Sequence, residues 1–390
     1  MTDLLLTRDF PPQGGGIARM LGEIAGASVP GTLVVSTGAA DQRIPDPVDR
    51  SYLLDRLEYR GARLGSLAGL WRWARRARAL QRRHHFGFCW VGNLKPAGHV
   101  ARYLSDATGV PYGVLVHGHD LLRLERQLDR RAKRWAARRI LAGAGGVVAN
   151  SGWTADCYRG LAQRLGVDTP VAVIRPGVDP ERFSPGPARG PRGIAGGDEP
   201  VCLTVARLER HKGIDTALAA LAVLGRAGRR VRYLVAGDGP DRSRLERLAA
   251  EGGLQGQVTW LGAVSESELP RLYRSADLYL GLSRQDGEQV EGFGLALLEA
   301  QATGLPVIAG RSGGTGDAVE DGVTGHLVPP DDVAAVAGML GHCLAQPYHA
   351  AELGRAGRLR VERQFGWNRV IGELDQARAC FRGGTPPAGR

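Results

Sequence analysis

The chain predicts a two-domain α/β protein, each domain a parallel sheet covered on both faces by helices. Three observations lead there. Short apolar runs such as Leu4–Leu6, Tyr112–Val116, Val201–Val205 and Val231–Ala236 alternate with helical stretches in both halves, as strands buried on both faces do. The length of 390 residues, 43% of them hydrophobic, suits two cores better than one. Between the halves, residues 176–200 contain Pro176-Gly177-Val178-Asp179-Pro180, Pro185-Gly186-Pro187 and a Gly/Arg/Pro-rich run, the composition of a linker.

In the first half, Leu4–Leu6 is a strand, Pro11-Pro12-Gln13-Gly14-Gly15-Gly16 a loop, and Ile17 to Ala27 a helix. A glycine loop in that place lets backbone N–H groups approach a ligand, and it is equally an ordinary turn. Leu33–Val35 is a second strand and residues 41–50 an Asp- and Pro-rich loop. Residues 60–83 form a basic helix with Trp71 and Trp73 among Arg72, Arg75, Arg76, Arg78, Arg82 and Arg83. Phe86 to Val91 is a strand, Pro96 to Ser105 a helix with Lys95 at its start, and residues 123–139 a second basic helix. Tyr112–Val116 ends at His117-Gly118-His119-Asp120, and Gly146–Ala149 ends at Asn150-Ser151. Ligands of parallel sheets gather at such strand ends, so the histidines there either face a ligand or serve the loop.

In the second half, Arg207-Leu208-Glu209-Arg210-His211-Lys212-Gly213 follows the strand Val201–Val205 and leads into a helix from Ile214. Val231–Ala236, Val258–Leu261 and Leu278–Leu282 are strands; Arg242–Glu251 and Leu269–Ser275 are helices. A polar loop from Ser283 then precedes an almost wholly apolar or small run, Phe293 to Ala302, which reads as a buried helix. Thr303-Gly304-Leu305-Pro306 stops it, Val307–Ala309 is a strand, and Gly310–Gly314 is a loop. Two carboxylates interrupt this stretch, Glu291 and Glu299. Were the whole span helical, they would lie roughly 12 Å apart along the axis, a spacing for the two ends of a long ligand. Gly292 and Gly294 would leave the first-turn N–H groups open to phosphate. The alternative is a helix-start acid and a carboxylate bonded to a neighbouring loop.

The net charge of +11 sits entirely in residues 1–180, which hold 26 Lys+Arg against 15 Asp+Glu; residues 181–390 hold 25 of each. An anionic partner for the first half follows. Lys95, Lys133 and Lys212 are the three lysines beside 48 arginines. Five scattered cysteines form neither a metal spacing nor a disulfide framework and suit a reducing compartment. No apolar run is long enough for a transmembrane helix, and Met1-Thr2-Asp3-Leu4-Leu5-Leu6 lacks the form of a signal peptide. A cytoplasmic location is expected.

The run EGFGLALLEAQATGLPVIAGRSGG, residues 291–314, resembles the Glu-x7-Glu signature of retaining glycosyltransferases of family 4. That family has the GT-B fold, two Rossmann-like domains facing a central cleft. The resemblance covers nearly the whole chain: the glycine loop, the histidine after a strand, PGVDPERF, an arginine and lysine like the family's SRL…KG, and Phe365-Gly366-Trp367 before a helix that crosses back. It departs at Pro176, where the family often has Asn, and at Asp317, where Glu is commoner. The domains implied are 1–180 on the acceptor side, 181–364 for the nucleotide sugar, a crossing helix at 365–382 and a disordered tail at 383–390.

Carried over residue by residue, the resemblance implies that Gly15 and Gly16 lie beside the donor phosphates and acceptor. His117, rather than His119, faces the donor sugar. Arg207 and Lys212 meet the leaving diphosphate, with two solvated surface cations as the alternative. Glu291 binds sugar hydroxyls, Gly292, Phe293, Gly294 and Leu295 the diphosphate edge, and Glu299 the ribose. Backbone near Val264 holds the base. No Asp-x-Asp triplet occurs, so no metal and no cofactor are expected, and the cations take that role.

The expected activity is retaining transfer of a hexose from a nucleoside-diphosphate sugar to a hydroxyl acceptor, with lipid-linked acceptors and growing glycans both open. GDP-mannose is preferred to a UDP-hexose because RQDGEQVEGFG and HGHD look like segments of bacterial mannosyltransferases. The basic stretches 60–83 and 123–139, the first with interfacial tryptophans, point to an anionic membrane surface, unless Trp71 and Trp73 face the core. Rivals are an epimerase or hydrolase of the same fold, a noncatalytic nucleotide-sugar binder, and a nucleic-acid-binding protein. No nucleic acid is expected, because no binding-module signature accompanies the charge.

Overall fold

A parallel strand covered on both faces needs apolar residues at nearly every position, and short apolar runs such as Leu4–Leu6, Tyr112–Val116 and Val307–Ala309 lie in strands here. The computed structural model describes residues 2–38, 51–57, 66–186 and 199–383. The expected loop at 41–50, part of the linker and all but the first residue of the expected tail lie outside the described residues. Two units divide the chain: residues 1–176 with 367–390, and residues 177–366. These divisions fall after Pro176 and Gly366, where the sequence reading puts them after 180 and 364.

The first unit contains β1 (Asp3–Leu6), α1 (Gly16–Ala27), β2 (Leu33–Gly38), β3 (Leu53–Leu57), α2 (Leu67–His84), β4 (Phe88–Val91), α3 (Ala97–Thr108), β5 (Tyr112–Val116), α4 (His119–Glu125), α5 (Arg131–Ala142), β6 (Gly146–Ala149), α6 (Gly152–Leu165) and β7 (Val171–Val173). Its described strands form one parallel sheet in the order β3-β2-β1-β4-β5-β6-β7, with Leu4 opposite Val34 on one side and Cys89 on the other. The expected helix at 123–139 is two helices, because residues 126–130 form a turn between them.

The second unit contains β8 (Val201–Val205), α7 (Ile214–Arg226), β9 (Arg232–Ala236), α8 (Arg242–Glu251), β10 (Val258–Gly262), α9 (Leu269–Tyr273), β11 (Leu278–Gly281), α10 (Leu295–Ala302), β12 (Val307–Gly310), α11 (Thr315–Ala318), β13 (His326–Val328), α12 (Val333–Ala345) and α13 (Pro347–Gln364). Its sheet is also parallel, in the order β10-β9-β8-β11-β12-β13. The last helix, α14 (Trp367–Phe381), belongs to the first unit. There Arg378 donates to the buried Asp3 carboxylate at 2.7 Å, and the Phe381 ring lies 6.3 Å from that of Trp90. No described helix is long and apolar enough to cross a membrane.

The two tryptophans of α2 part company. Trp73 is fully buried, its indole N–H donating to Ser36 Oγ at 3.1 Å, whereas Trp71 is 60% exposed. One faces the core and the other water, so neither reading of the pair holds for both. Trp73→Ala is expected to cost about 3–5 kcal/mol, and Trp71→Ala to stay within about 0.5 kcal/mol, measured from chemical denaturation midpoints.

Candidate active site

Strand order in the second unit reverses between β8 and β11. Such a reversal, at the carboxyl ends of a parallel sheet, is where ligands of this kind of sheet bind. The loop after β8 ends in a tight turn, Arg210–Lys212, and the loop after β11 runs to Gly294. They are pressed together. Gly213 has φ +67°, and a Cβ there would stand 1.9 Å from the Leu282 carbonyl oxygen, so glycine alone fits. The Arg284 N–H donates to His211 O at 2.8 Å. This close approach brings Lys212 Nζ to 2.6 Å from Glu291 Oε2, which also accepts from Ser283 Oγ at 3.4 Å.

Burial works to raise the Glu291 carboxyl, but the Lys212 ammonium, with His211 and Ser283, overrides it and holds the group below the usual carboxylate range. Its backbone is gripped as well: Gly314 N–H donates to Glu291 O at 2.9 Å, and a Cβ on Gly313 would come within 2.2 Å of that oxygen. His211 is buried beside Glu209, Nδ1 to Oε2 3.4 Å. Burial, then the Lys212 charge, push its imidazole down to about 4, so it is neutral at pH 7. Arg284 forks onto Asp215 at 2.8 and 2.9 Å, and Arg244 joins Asp215 to Asp241. Sequence reasoning missed His211, Ser283 and this Arg284–Asp215 clasp. The clasp spans 69 positions, and no local pattern announces it.

The rest of the opening stretch is rearranged from expectation. Gly294 takes φ +101° and caps α10, so the helix begins at Leu295 and Glu291 lies outside it; the 12 Å axial spacing therefore does not apply. Glu299 is 3% exposed and accepts from the Tyr273 hydroxyl at 2.7 Å. Phe293 is a core residue with its ring 6.0 Å from that of Phe365, while Gly292 is buried and Leu295 half-buried. Val264 lies half-buried in the loop after β10. Arg207 is largely exposed and pairs with Glu209 at 3.1 Å. Lys212 and Glu291 are thus brought together, and Arg207 is tied to them through Glu209 beside His211.

In the first unit the order reverses between β1 and β4. Asn93, after β4, accepts from Thr7 Oγ1 and Arg8 N–H, both at 2.8 Å, and donates to Asp9 at 2.9 Å, joining the two loops. His117, after β5, is buried with Nε2 at 2.8 Å from Gly92 O. That carbonyl can only accept, so Nε2 carries the proton and Nδ1 is left as an acceptor. Burial pushes His117 down, Asp120 opposing, which keeps it neutral. Nδ1 and Asn150 Oδ1 have no hydrogen-bond partner among the described residues. Both residues line an apolar cavity of about 20 Å³ with Met20, Ile24 and Leu374. Gly15 and Gly16 are exposed at the start of α1.

The neutral, buried His211 makes stability pH-dependent. An unfolded histidine protonates near 6.5, the folded one near 4. The unfolded chain therefore binds more protons between these values, so stability is full above 6.5 and is lost as pH falls toward 4. Glu291, with its lowered folded value, adds a loss of the same sign at lower pH. His211→Gln is expected to flatten thermal stability across pH 6.5 to 4, read from melting temperatures; an unchanged slope would show that His211 is not the group responsible.

Comparison with known proteins agrees with this architecture. The family model described as Glycosyl transferases group 1 matches residues 192–360, and that for Glycosyltransferase Family 4 matches residues 15–182. A GDP-mannose-dependent alpha-(1-6)-phosphatidylinositol monomannoside mannosyltransferase from Mycolicibacterium smegmatis is 32% identical over 362 residues, covering 91% of this chain and 92% of that protein. Among solved structures, sucrose-phosphate synthase from Thermosynechococcus elongatus superposes with a TM-score of 0.78 at 24% identity, covering 98% of this chain and all of that one. Anabaena HepE in complex with UDP and glucose has a TM-score of 0.76 at 21% identity, covering 96% and 98%. Its strand order, its paired parallel-sheet units and these likenesses make the chain a GT-B glycosyltransferase, a member of the group 1 and family 4 glycosyl transferases.

Proposed function

We propose that the protein transfers mannose from GDP-mannose, with a UDP-hexose as the second candidate donor, to a hydroxyl of a lipid-linked acceptor with retention of configuration. The observation that carries this reading is the Lys212–Glu291 ion pair at the strand-order reversal of the second unit. An ammonium and a carboxylate side by side suit a ligand with phosphate at one point and sugar hydroxyls at the next. The Mycolicibacterium smegmatis relative's name, with its GDP-mannose donor and phosphatidylinositol-based acceptor, supports the donor and acceptor class.

In this mechanism the bond from the sugar's anomeric carbon to the diphosphate oxygen breaks as the bond to the acceptor oxygen forms on the same face. The acceptor's hydroxyl proton passes to a departing phosphate oxygen. Lys212 and Arg207 stabilise the charge growing on the diphosphate without a divalent metal. Glu291 orients the sugar hydroxyls, and Gly292 to Leu295 present backbone N–H groups to the diphosphate. Glu299, steadied by Tyr273, meets the ribose, and the backbone at Val264 the base. His117 Nδ1 accepts from a sugar hydroxyl, and Gly15 and Gly16 leave room for the phosphates and acceptor.

The first unit also carries a surface suited to an anionic bilayer. Helices α2 and α5 both pack on α3. Trp71 on α2 and Trp135 on α5 are 60% and 62% exposed, with Arg75 4.6 Å and Arg139 5.4 Å from their ring centroids. Tyr103 on α3 is exposed as well. Aromatic rings with arginines beside them belong at a lipid–water interface, and each cation adds roughly 1 kcal/mol near an anionic surface.

Lys212→Ala is expected to lower kcat about 10²-fold or more, the scale of losing one donor to a developing anion, while wild type keeps its rate in EDTA. Unchanged turnover would remove Lys212 from the chemistry, and loss in EDTA restored by Mg²⁺ would overturn the metal-free reading. The membrane surface is checked by co-sedimentation: binding to anionic vesicles, weakening with salt, and reduced in a Trp71→Ala/Trp135→Ala double variant.

A further inference from the structure

Leu282, Ser283 and Arg284 directly follow β11, and each meets a part of the Lys212–Glu291 site. The Leu282 carbonyl fills the place of a side chain at Gly213, and Ser283 Oγ lies 3.4 Å from Glu291 Oε2. Arg284 does more. Its backbone N–H donates to His211 O at 2.8 Å. Its guanidinium donates to Asp215 Oδ1 at 2.9 Å and Oδ2 at 2.8 Å, and to Thr216 Oγ1 at 3.1 Å. One residue therefore grips the Lys212 turn on both sides, at His211 before it and at the first turn of α7 after it. Asp215 is held in turn from behind, since Arg244 donates to Oδ2 at 2.9 Å and is itself paired with Asp241 at 2.7 Å. The Arg284 and Asp215 side chains are both largely buried.

A lysine ammonium is a point charge on a flexible stem, so where Nζ can reach depends on where its backbone is held. Glu291 steadies the far end at 2.6 Å, yet in the proposed reaction that carboxylate also turns to sugar hydroxyls. The backbone of the Lys212 turn must then carry the placement. A guanidinium forked onto a carboxylate fixes angle as well as distance, which one ammonium cannot do. We infer that Arg284 is a positioning residue of the transfer reaction, setting the Lys212 turn against Glu291 through Asp215 and the His211 carbonyl. Its guanidinium is taken up by Asp215 and Thr216, so it acts on the chemistry by way of Lys212. This rests on the proposed reading of Lys212 as the donor to the leaving diphosphate and adds the residue that aims it. Its reach is large for a group outside the reaction, because misplacing a reacting group by about 1 Å can cost about 10²-fold in rate.

Arg284→Lys keeps the charge and loses the fork. With GDP-mannose as donor and phosphatidylinositol vesicles as acceptor, the full-length variant is expected to lose about tenfold or more in kcat, its KM for GDP-mannose staying within about twofold. Placed on Lys212→Ala, the same substitution should cost nothing further, because the group it aims is gone. Losses that multiply in the double variant would make Arg284 a structural clasp only and overturn the inference. A second readout needs no turnover. The Glu291 carboxyl, followed by ¹³C NMR and assigned with Glu291→Gln, is held low by Lys212 in the wild type, so its titration midpoint should rise in Arg284→Lys, toward that in Lys212→Ala. An unmoved midpoint in Arg284→Lys also overturns the inference. Should Arg284→Lys fail to fold, judged by near-ultraviolet circular dichroism, Asp215→Glu displaces the same fork with its charge kept and carries the same expectations. Full turnover in Lys212→Ala, or no transfer by wild type, would count against the transferase reading alone, and the Glu291 midpoint would still decide the role of Arg284.

Discussion

A lysine and a glutamate 79 positions apart meet at 2.6 Å because two loops of the second unit are forced against each other. Gly213 gives up its side chain to the Leu282 carbonyl, Arg284 ties the second loop to His211 and Asp215, and Gly313 and Gly314 hold the Glu291 backbone from a third loop. Each contact is local and modest. Together they set two opposite charges in a half-buried place where leaving either unpaired would be expensive. The reversal of strand order supplies the location, since β8 and β11 are the neighbours between which the order turns. The loop contact, its paired charges and the glycines beside them thus sit where the strand order turns.

Electrostatics divide the two units differently. In the second, the charges around the site are largely tied into ion pairs: Asp215 with Arg284 and Arg244, Glu209 with Arg207, Glu291 with Lys212. The carboxyls of Asp215 and Glu291 are held low against the opposing effect of burial. In the first, Trp71 and Trp135 are exposed with arginines over them, and the buried Lys95 ammonium has no hydrogen-bond partner among the described residues. The positive charge of residues 1–180 therefore includes exposed arginines over aromatic rings and one buried ammonium, a distinction that a charge count does not make.

Much of the architecture was legible in the sequence, for a physical reason. Tyr112–Val116, Gly146–Ala149 and Val201–Val205 are strands with the expected bounds, because a strand buried on both faces writes itself as an unbroken apolar run. The edge strands β3, β7 and β13 were not read. They are short, and β3 and β7 are only partly buried, so little in their composition sets them apart from loops. The start of α10 was misplaced by two residues because apolar continuity through Phe293 says nothing of the left-handed backbone at Gly294. Lys212 and Glu291 could be named singly from their motifs, but their pairing is a tertiary fact. The Tyr273–Glu299 bond is another: a buried acid advertises a need for a partner without saying which residue meets it.

The route of the chain has a consequence for the order in which the protein assembles. The second unit is inserted between β7 and α14 of the first, and its entry and exit are fastened together by Val178 N–H donating to Phe365 O at 2.7 Å. The ribosome therefore releases the whole first-unit sheet, and then some 190 further residues, before the helix that covers part of it exists. Until then Asp3 lacks Arg378, and the glycines at 145 and 146, whose missing side chains leave room for Phe381, face an empty place. The inserted unit can finish folding first, although it is made later, because its segments are contiguous. A nascent chain stopped at Gly366 is accordingly expected to exchange amide hydrogens faster along β5 and β6 than the complete protein; equal protection would show that the first unit does not wait for its last helix.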